Sequence, residues 1–203
     1  MSGLTRLAGF WVATGFEDVA PDLPDFDSFA GISIWHCPAC DGYEYTGKRL
    51  AIVGRGPQLA GYLAEFLPYT EHLTVLTNGA EPQFSDTEAA ALHRRGIPVH
   101  TEAVRRLVGH EGQLEWIELD DGTHLDADAI FYSIGHMPQT ELIEQLGCEQ
   151  GPDGVVMSRC QETTVAGVYA AGDIAPLEEI IVVAAAMGAV AANNLHHSLA
   201  PTL

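Results

Sequence analysis

The stretch WHCPACDGYEYTGKRLAIVGRGPQL (Trp35–Leu59) joins two features that decide the fold. It begins with a CxxC pair, Cys37 and Cys40. It continues into RLAIVGRG (Arg49–Gly56), an apolar run without polar alternation, which is typical of a strand buried on both faces. PQLAGYLAEFLPY (Pro57–Tyr69) follows with apolar residues at helical spacing. The stretch therefore predicts a dithiol beside a strand–turn–helix unit.

Length and composition limit the possible functions. The chain has 203 residues, of which 47% are hydrophobic, so it forms one large domain or two small ones with a sizeable core. The net charge of −19 argues against binding to nucleic acid or to an anionic membrane surface. We recognise no secretory signal, and the longest apolar run, Ile180–Ala192, is short for a membrane span. The expectation is a cytoplasmic protein.

The other predicted elements alternate between strands and helices. FEDVAPDLPDFDSFAG (Phe16–Gly31), rich in proline and aspartate, is expected to be a connecting loop. LEWIELDDGTHL (Leu114–Leu125) has a DG turn between alternating runs, which predicts a β-hairpin. The remaining predictions are strands at Gly9–Thr14, His72–Asn78, Ala129–Gly135 and Gly167–Ile174, and helices at Asp86–Gly96 and Glu178–Leu195. This order predicts an α/β nucleotide-binding domain with a β-meander.

The glycine turn has the context of a dinucleotide-binding turn. Gly54 would allow a tight turn, and Gly56 would let the backbone approach a pyrophosphate. The third position of the motif is Leu59 rather than a small residue, so a degenerate turn that no longer binds tightly is the alternative. The next strand ends at Thr77–Gly79, which lacks the charged residue that selects between NAD and NADP. Arg94 and a second arginine come only later in the chain. The choice between NAD and NADP therefore stays open.

The dithiol is expected to be redox-active. Two intervening residues on a helical turn bring the sulfurs of Cys37 and Cys40 within disulfide range, and Asp41 follows as a candidate general acid or base. Half of a zinc site is the alternative, although Cys148 and Cys160 lack the spacing of a second ligand pair. We therefore expect no metal.

Four segments carry a family resemblance. CPACDGYEYTGKRLAIVGRG (Cys37–Gly56) resembles the CxxC-Asp and GxG segment of low-molecular-weight thioredoxin reductases. YSIGHMPQT (Tyr132–Thr140) is similar to their domain-junction segment, and WVATG (Trp11–Gly15) to the strand that ends the first half of their FAD domain. GVYAAGDI (Gly167–Ile174) resembles their second FAD-binding motif. The four occur in the family's order and cover nearly the whole chain.

The resemblance implies a fold and its domains. A Rossmann-like NAD(P)H-type domain with a β-meander crossover, residues 20–133, would carry the CxxC. It would be inserted into a partial FAD-binding domain of three-layer ββα type, residues 1–19 and 134–203. The FAD-binding residues implied are Gly172 and Asp173, with Ile180 and Ile181 at the start of the last helix.

The resemblance also implies a mechanism. The Cys40 thiolate would react at the flavin, Cys37 would exchange with the substrate disulfide, and Asp41 would shuttle protons. Three positions look closer to the gliotoxin-type and related bacterial dithiol oxidases than to thioredoxin reductases: the neutral Asn78 and Gly79, and Leu59 in the glycine turn. Those relatives oxidise small-molecule dithiols with a flavin and oxygen.

One part of the family pattern has no counterpart in this sequence: the first FAD strand with its GxGxxG. We therefore expect the other half of the FAD domain to come from another chain or a second copy, to have been truncated, or to have been lost with the flavin. The leading hypothesis is a dithiol/disulfide oxidoreductase that acts through Cys37, Cys40 and FAD on a small-molecule or protein substrate, with NAD(P)H less supported. The alternative is a flavin-free subunit that binds a partner chain or nucleotide without turnover.

Overall fold

The computed structural model describes residues 9–151, 154–175 and 179–200. The chain divides into two compact units. The discontinuous unit contains residues 1–18 and 136–203, and the continuous unit contains residues 19–135. These limits lie within two residues of the predicted domain boundaries, while the assignment of each unit to a cofactor stays a prediction.

The strands and helices follow the predicted alternation. The strands are β1 (Phe10–Val12), β2 (Phe16–Asp18), β3 (Ile34–Trp35), β4 (Leu50–Gly54), β5 (Leu73–Leu76), β6 (Val99–His100), β7 (Val104–His110), β8 (Gln113–Leu119), β9 (His124–Asp126), β10 (Ala129–Ser133), β11 (His136–Pro138), β12 (Gln150–Gly151), β13 (Gly154–Val155) and β14 (Val168–Ala170). The helices are α1 (Phe26–Phe29), α2 (Pro38–Asp41), α3 (Leu59–Ala64), α4 (Asp86–Arg95), α5 (Glu141–Gln145) and α6 (Ile181–Ser198).

The continuous unit is built on a parallel sheet with the strand order β3-β10-β4-β5-β6. Every residue of β4 is buried, as its unbroken apolar run predicts. Ile52 and Phe131 pack on the side that holds Phe66, beyond the end of α3. Val53 packs on the opposite side with Ile117 of β8. The sheet therefore lies between a layer of helices and a layer of antiparallel strands.

The antiparallel layer is the predicted β-meander. Strands β7, β8 and β9 pair in that order. The turn between β8 and β9 contains Asp121 and Gly122, and Gly122 has a φ of 86°, which glycine adopts without steric cost. The hairpin prediction for this DG turn is confirmed, as is the α/β fold class.

The discontinuous unit pairs β1 in parallel with β14, and β2 antiparallel to β11. Helix α6 packs against β14 through Met187, Ala191 and Leu195, which share a buried cluster with Tyr169. The start of α6 is not buried in this way, because the side chain of Ile181 is 89% exposed. Among the described residues, no helix combines the length and the apolarity that a membrane crossing requires.

Two predicted elements were wrong in extent. The expected loop Phe16–Gly31 contains β2 and α1, because Phe29 is buried and Phe26 packs against the same core. The helix expected over Pro57–Tyr69 is regular only in α3, and its chain continues as turns in which Tyr69 N–H donates to the Phe66 carbonyl.

Candidate redox site and cofactor sites

The CxxC pair lies at the carboxyl end of β3. Cys37 and Cys40 form a disulfide, with their Cα atoms 5.3 Å apart. Cys37 is the N-cap of α2, and its sulfur accepts a hydrogen bond of 3.1 Å from the Cys40 N–H. Pro38 occupies the first turn, where its missing N–H costs nothing and its fixed φ suits a helix. The sequence CPAC therefore folds locally into the turn that joins the sulfurs.

Exposure distinguishes the two cysteines. Cys40 is exposed, whereas Cys37 is half-buried. Within the described part of the chain, no group of three or more His, Cys, Asp or Glu side chains is placed to hold a metal ion. Of the other cysteines, Cys148 is buried and Cys160 is exposed, and neither forms a disulfide.

Asp41 ends helix α2, one residue beyond Cys40. Its partial burial, and then the negative charge of Glu44, raise the pKa of the Asp41 carboxyl above its usual value, against the opposing influence of His36. A carboxyl with a raised pKa exchanges protons closer to neutral pH than an ordinary one. This property suits the proton-shuttle role predicted for Asp41.

A set of aromatic hydroxyl and indole groups holds the chain before the disulfide. Tyr62 Oη on α3 donates to the carbonyl oxygen of His36 at 2.7 Å. Trp35 Nε1 donates to Tyr45 Oη at 2.9 Å, and that hydroxyl donates to the Ile32 carbonyl oxygen at 3.0 Å. No pattern in the sequence indicates these roles, because two of the three acceptors are main-chain carbonyls, which any residue supplies.

The glycine turn is packed tightly. A Cβ atom on Gly54 would lie 2.6 Å from Leu59 Cδ1 and 3.0 Å from the Ser133 carbonyl oxygen. Gly56 has a φ of 96°, so it too needs glycine. Leu59, at the third motif position, is 1% exposed and fills the space beside Gly54. The short helix α3, from Leu59 to Ala64, follows this turn.

Asn78 follows β5 at the position where the family's cofactor-selecting charge is expected. Its Nδ2 donates to the Asp22 carbonyl oxygen at 2.9 Å, and its Oδ1 accepts from the Val104 N–H at 2.8 Å. Both polar groups of the side chain thus tie loops of the continuous unit together. Arg94 and Arg95 are exposed in the last turn of α4. Neither arginine has a described hydrogen bond or ion pair to this segment.

The discontinuous unit contains a cavity of about 450 Å³ around the GD pair of its second motif. Its lining is dominated by glycine and alanine, and Asp173 supplies a carboxylate. Gly172 has a φ of 78°, and a Cβ atom there would lie 3.9 Å from Ala184 Cβ, on the cavity wall. Ile180 and Ile181, at the start of α6, are exposed and are not among the lining residues.

The sequence of this chain is similar to those of known proteins. A family profile described as pyridine nucleotide-disulphide oxidoreductase matches residues 10–188. Thioredoxin reductase tcpT of Claviceps purpurea (strain 20.1) is 30% identical over 170 residues, covering 80% of this chain and 53% of that protein. NADPH-dependent thioredoxin reductase 3 of Arabidopsis thaliana is 32% identical over 192 residues, covering 89% of this chain and 36% of that protein. The chain therefore spans about half the length of these relatives, or less.

Solved structures have the same fold. The crystal structure of HlmI matches with a TM-score of 0.85 and 31% identity, covering 94% of this chain and 60% of that one. An oxidoreductase from Agrobacterium tumefaciens matches with a TM-score of 0.78 and 28% identity, covering 94% and 64%.

Proposed function

This chain belongs to the pyridine nucleotide-disulphide oxidoreductase family, and on that premise we propose that it carries the redox dithiol of a flavin-dependent dithiol/disulfide oxidoreductase. The observation that supports this most directly is the Cys37–Cys40 disulfide beside an exposed surface, with Asp41 next in the chain. The proposed substrate is a small-molecule or peptide dithiol.

The exchange step needs only residues of this chain. A substrate thiolate attacks one sulfur of the Cys37–Cys40 disulfide and forms a mixed disulfide, which releases the other cysteine as a thiolate. The second substrate thiolate then displaces the cysteine still bound. The substrate leaves as a disulfide, and two electrons and two protons remain on the two cysteines. Asp41 accepts the proton of the attacking thiol and returns it to the leaving cysteine.

The cavity of the discontinuous unit suits a flavin. Small residues leave room for a ring system, and the Asp173 carboxylate can accept hydrogen bonds from the hydroxyl groups of a ribityl chain. Gly172 and Asp173 would hold the cofactor, whereas Ile180 and Ile181 lie outside the lining of this cavity, and their contact with the cofactor stays a prediction. When bound, a flavin supplies a two-electron acceptor for the reduced dithiol.

We also propose that further protein surface completes this flavin site, from a complementing half-domain or a second copy of the chain. The support is the exposed apolar surface of the discontinuous unit, which includes Trp11 at 57%, Ile181 at 89% and Val182 at 67% exposure. Neighbouring exposed apolar side chains, as at Ile181 and Val182, commonly mark interaction surfaces.

The residues around the nucleotide turn bear on the proposed direction of electron flow. Asn78 uses both polar groups internally, and Leu59 fills the space beside Gly54, so the support for NAD(P)H as electron donor is weak. We therefore favour dithiol oxidation, with molecular oxygen as the final acceptor. Titration with NADPH and NADH is expected to show weak binding without preference, and tight NADPH-selective binding would reverse this assignment.

The alternative function is that of a subunit that binds a partner chain without turnover of its own. The exposure of Ile181 and Val182 favours it, since a surface of this kind serves binding whether or not a flavin is present.

The deciding experiment measures flavin absorbance and dithiol turnover of the purified protein together with its assembly mass. We expect a flavin band, oxygen consumption with dithiothreitol, and loss of turnover in Cys37→Ser and in Cys40→Ser. Cys160→Ser, at an exposed unpaired cysteine, is the matched control and should keep the full rate. Full turnover in both CxxC variants would refute the redox role, and a folded protein that takes up no FAD even together with its complementing half-domain or second copy would favour the alternative.

A further inference from the structure

The segment that carries the disulfide is negatively charged. Between Ile32 and Gly47 the side chains with a formal charge are Asp41 and Glu44, and His36 is the one group that becomes cationic on protonation. Glu44 is exposed and makes no ion pair with any described residue. Its charge therefore faces solvent, four residues along the chain from Cys40.

The carboxylates of Asp41 and Glu44 lie close together in the chain, just after the disulfide. Asp41 ends α2 and is the N-cap of the 3₁₀ turn Gly42–Tyr45, in which Glu44 lies. The charge of Glu44 reaches Asp41, because it contributes to the raised pKa of that carboxyl. Tyr43, between them, is 76% exposed and offers an aromatic face to solvent.

Cations of the continuous unit lie elsewhere. Arg55 is in the glycine turn after β4, and β10 separates β4 from β3, so the two strands are about 9.5 Å apart by ordinary strand spacing. Lys48 acts on Asp128, whose pKa it helps to lower. Neither cation is among the groups that shift the pKa of Asp41. Apart from His36, which opposes the carboxylate charge when it is protonated, no described cation is among the groups that shift the pKa of Asp41.

We propose that the Cys37–Cys40 site selects its thiol substrates by charge, preferring cationic thiols, accepting neutral ones and rejecting anionic ones. This inference rests on the proposed exchange at the disulfide. The attacking thiolate brings a negative charge towards Asp41 and Glu44, and a cationic group on the same substrate offsets the repulsion. Tyr43 adds a face on which a cation is stabilised. The site is thereby suited to an amine-bearing thiol or a basic peptide.

The test follows reduction of the disulfide without involving the flavin. In oxygen-free buffer, two molecules of a monothiol reduce the Cys37–Cys40 disulfide and leave as one disulfide, and alkylation with mass spectrometry counts the cysteines released. Cysteamine, 2-mercaptoethanol and mercaptoacetate are compared as second-order rate constants per thiolate, each divided by the rate constant of the same thiol with a neutral reference disulfide, because thiolates of higher pKa are intrinsically better nucleophiles. We expect that order, with a cysteamine-to-mercaptoacetate ratio of about tenfold or more at low salt that shrinks as salt is added.

Variants at Glu44 test the cause. Glu44→Gln should lower the ratio several-fold, and Glu44→Lys should favour mercaptoacetate. Glu81→Gln removes the same charge from an exposed loop after β5, three strands from β3, and should leave the ratio unchanged. Equal rate constants after division by the reference rates, or a ratio insensitive to Glu44, would overturn the inference while leaving the proposed function intact. A disulfide that no thiol reduces would overturn the proposed function itself.

Discussion

The hydroxyl of Tyr62 donates a 2.7 Å hydrogen bond to the carbonyl oxygen of His36, the residue that precedes Cys37. Tyr62 belongs to α3, which follows the glycine turn, and 26 residues of chain separate the two partners. The helix that follows the glycine turn is therefore in direct contact with the residue that precedes the dithiol, within the continuous unit.

Removing this hydroxyl should loosen the disulfide segment. Burial raises the pKa of the Tyr62 phenol, so it remains a hydrogen-bond donor across the ordinary pH range. Tyr62→Phe leaves the His36 carbonyl without this donor, and we expect the free energy of unfolding to fall by about 1 kcal/mol. We also expect an altered rate of disulfide reduction by dithiothreitol, measured by cysteine alkylation.

Tyr69→Phe provides the control for Tyr62→Phe. Tyr69 packs its ring against Gly42, and its hydroxyl has no hydrogen-bond partner within the described ranges. Its removal should change neither the urea midpoint nor the reduction rate. If the two variants behave alike, the Tyr62 hydrogen bond does not position the disulfide.

The glycine turn gives a second prediction. Gly54→Ala places a Cβ 2.6 Å from Leu59 Cδ1 and 3.0 Å from a backbone oxygen of Ser133, so Leu59 or β4 must move. Forced overpacking of this kind typically costs about 1–3 kcal/mol. Urea unfolding should show this loss.

Gly61→Ala tests whether the loss is specific to the turn. It makes the same chemical change within α3, where an added Cβ meets no described atom within 4 Å. Alanine is the better helix former, so we expect a gain of about 0.5–1 kcal/mol. Equal effects of the two substitutions would contradict the packing argument for Gly54.

The sequence predicted the elements whose signals are local. The unbroken apolar run of β4, the DG turn at Asp121 and the CPAC turn each depend on neighbouring residues, and each is present. The segment Phe16–Gly31 was predicted wrongly because its proline and aspartate content indicates a loop, while the burial of Phe29 depends on core residues far along the chain.

The contacts around the sites were not predictable in the same way. From the sequence, Asn78 could be described only as a neutral residue where a cofactor-selecting charge is expected. Its hydrogen-bond partners in the structure, Asp22 and Val104, are 56 and 26 residues away along the chain. Tyr62 likewise acts through a main-chain carbonyl. Residue types reveal which chemistry is present, whereas the contacts that position it depend on the complete fold.

Asp41 gives a prediction for pH dependence. Its pKa in the folded protein is raised by burial and by Glu44, so folding disfavours the ionised form. The wild-type free energy of unfolding should therefore fall as pH rises through this pKa. Asn cannot ionise, so Asp41→Asn does not lose stability in this way and should be at least as stable as wild type at pH 7. Below about pH 4, aspartate is protonated in the unfolded chain as well, so any gain in stability of the variant over wild type should disappear there.

Asp128→Asn should behave in the opposite way. Hydrogen bonds from Arg49, at 2.7 Å and 2.8 Å, lower the pKa of the Asp128 carboxyl. The ionised form therefore favours folding, and the substitution should destabilise the protein at pH 7 with a deficit that shrinks as pH falls. Urea midpoints of wild type and both variants at pH 4 and pH 7 check the two signs. Parallel pH profiles for the two variants would contradict the assigned causes.

Asn78 gives the last prediction, because two of its properties can be separated by substitution. Its side chain makes two hydrogen bonds, and its backbone has a φ of 49°, a region that alanine adopts at a cost. Asn78→Ala loses both advantages and should lower the free energy of unfolding by about 2–4 kcal/mol. Asn78→Gly loses the hydrogen bonds but tolerates the backbone conformation, so its loss should be smaller by about 1 kcal/mol. Urea unfolding of both variants measures the difference. If glycine matches wild type, the hydrogen bonds to Asp22 and Val104 contribute nothing, and the side chain would be free to serve a nucleotide.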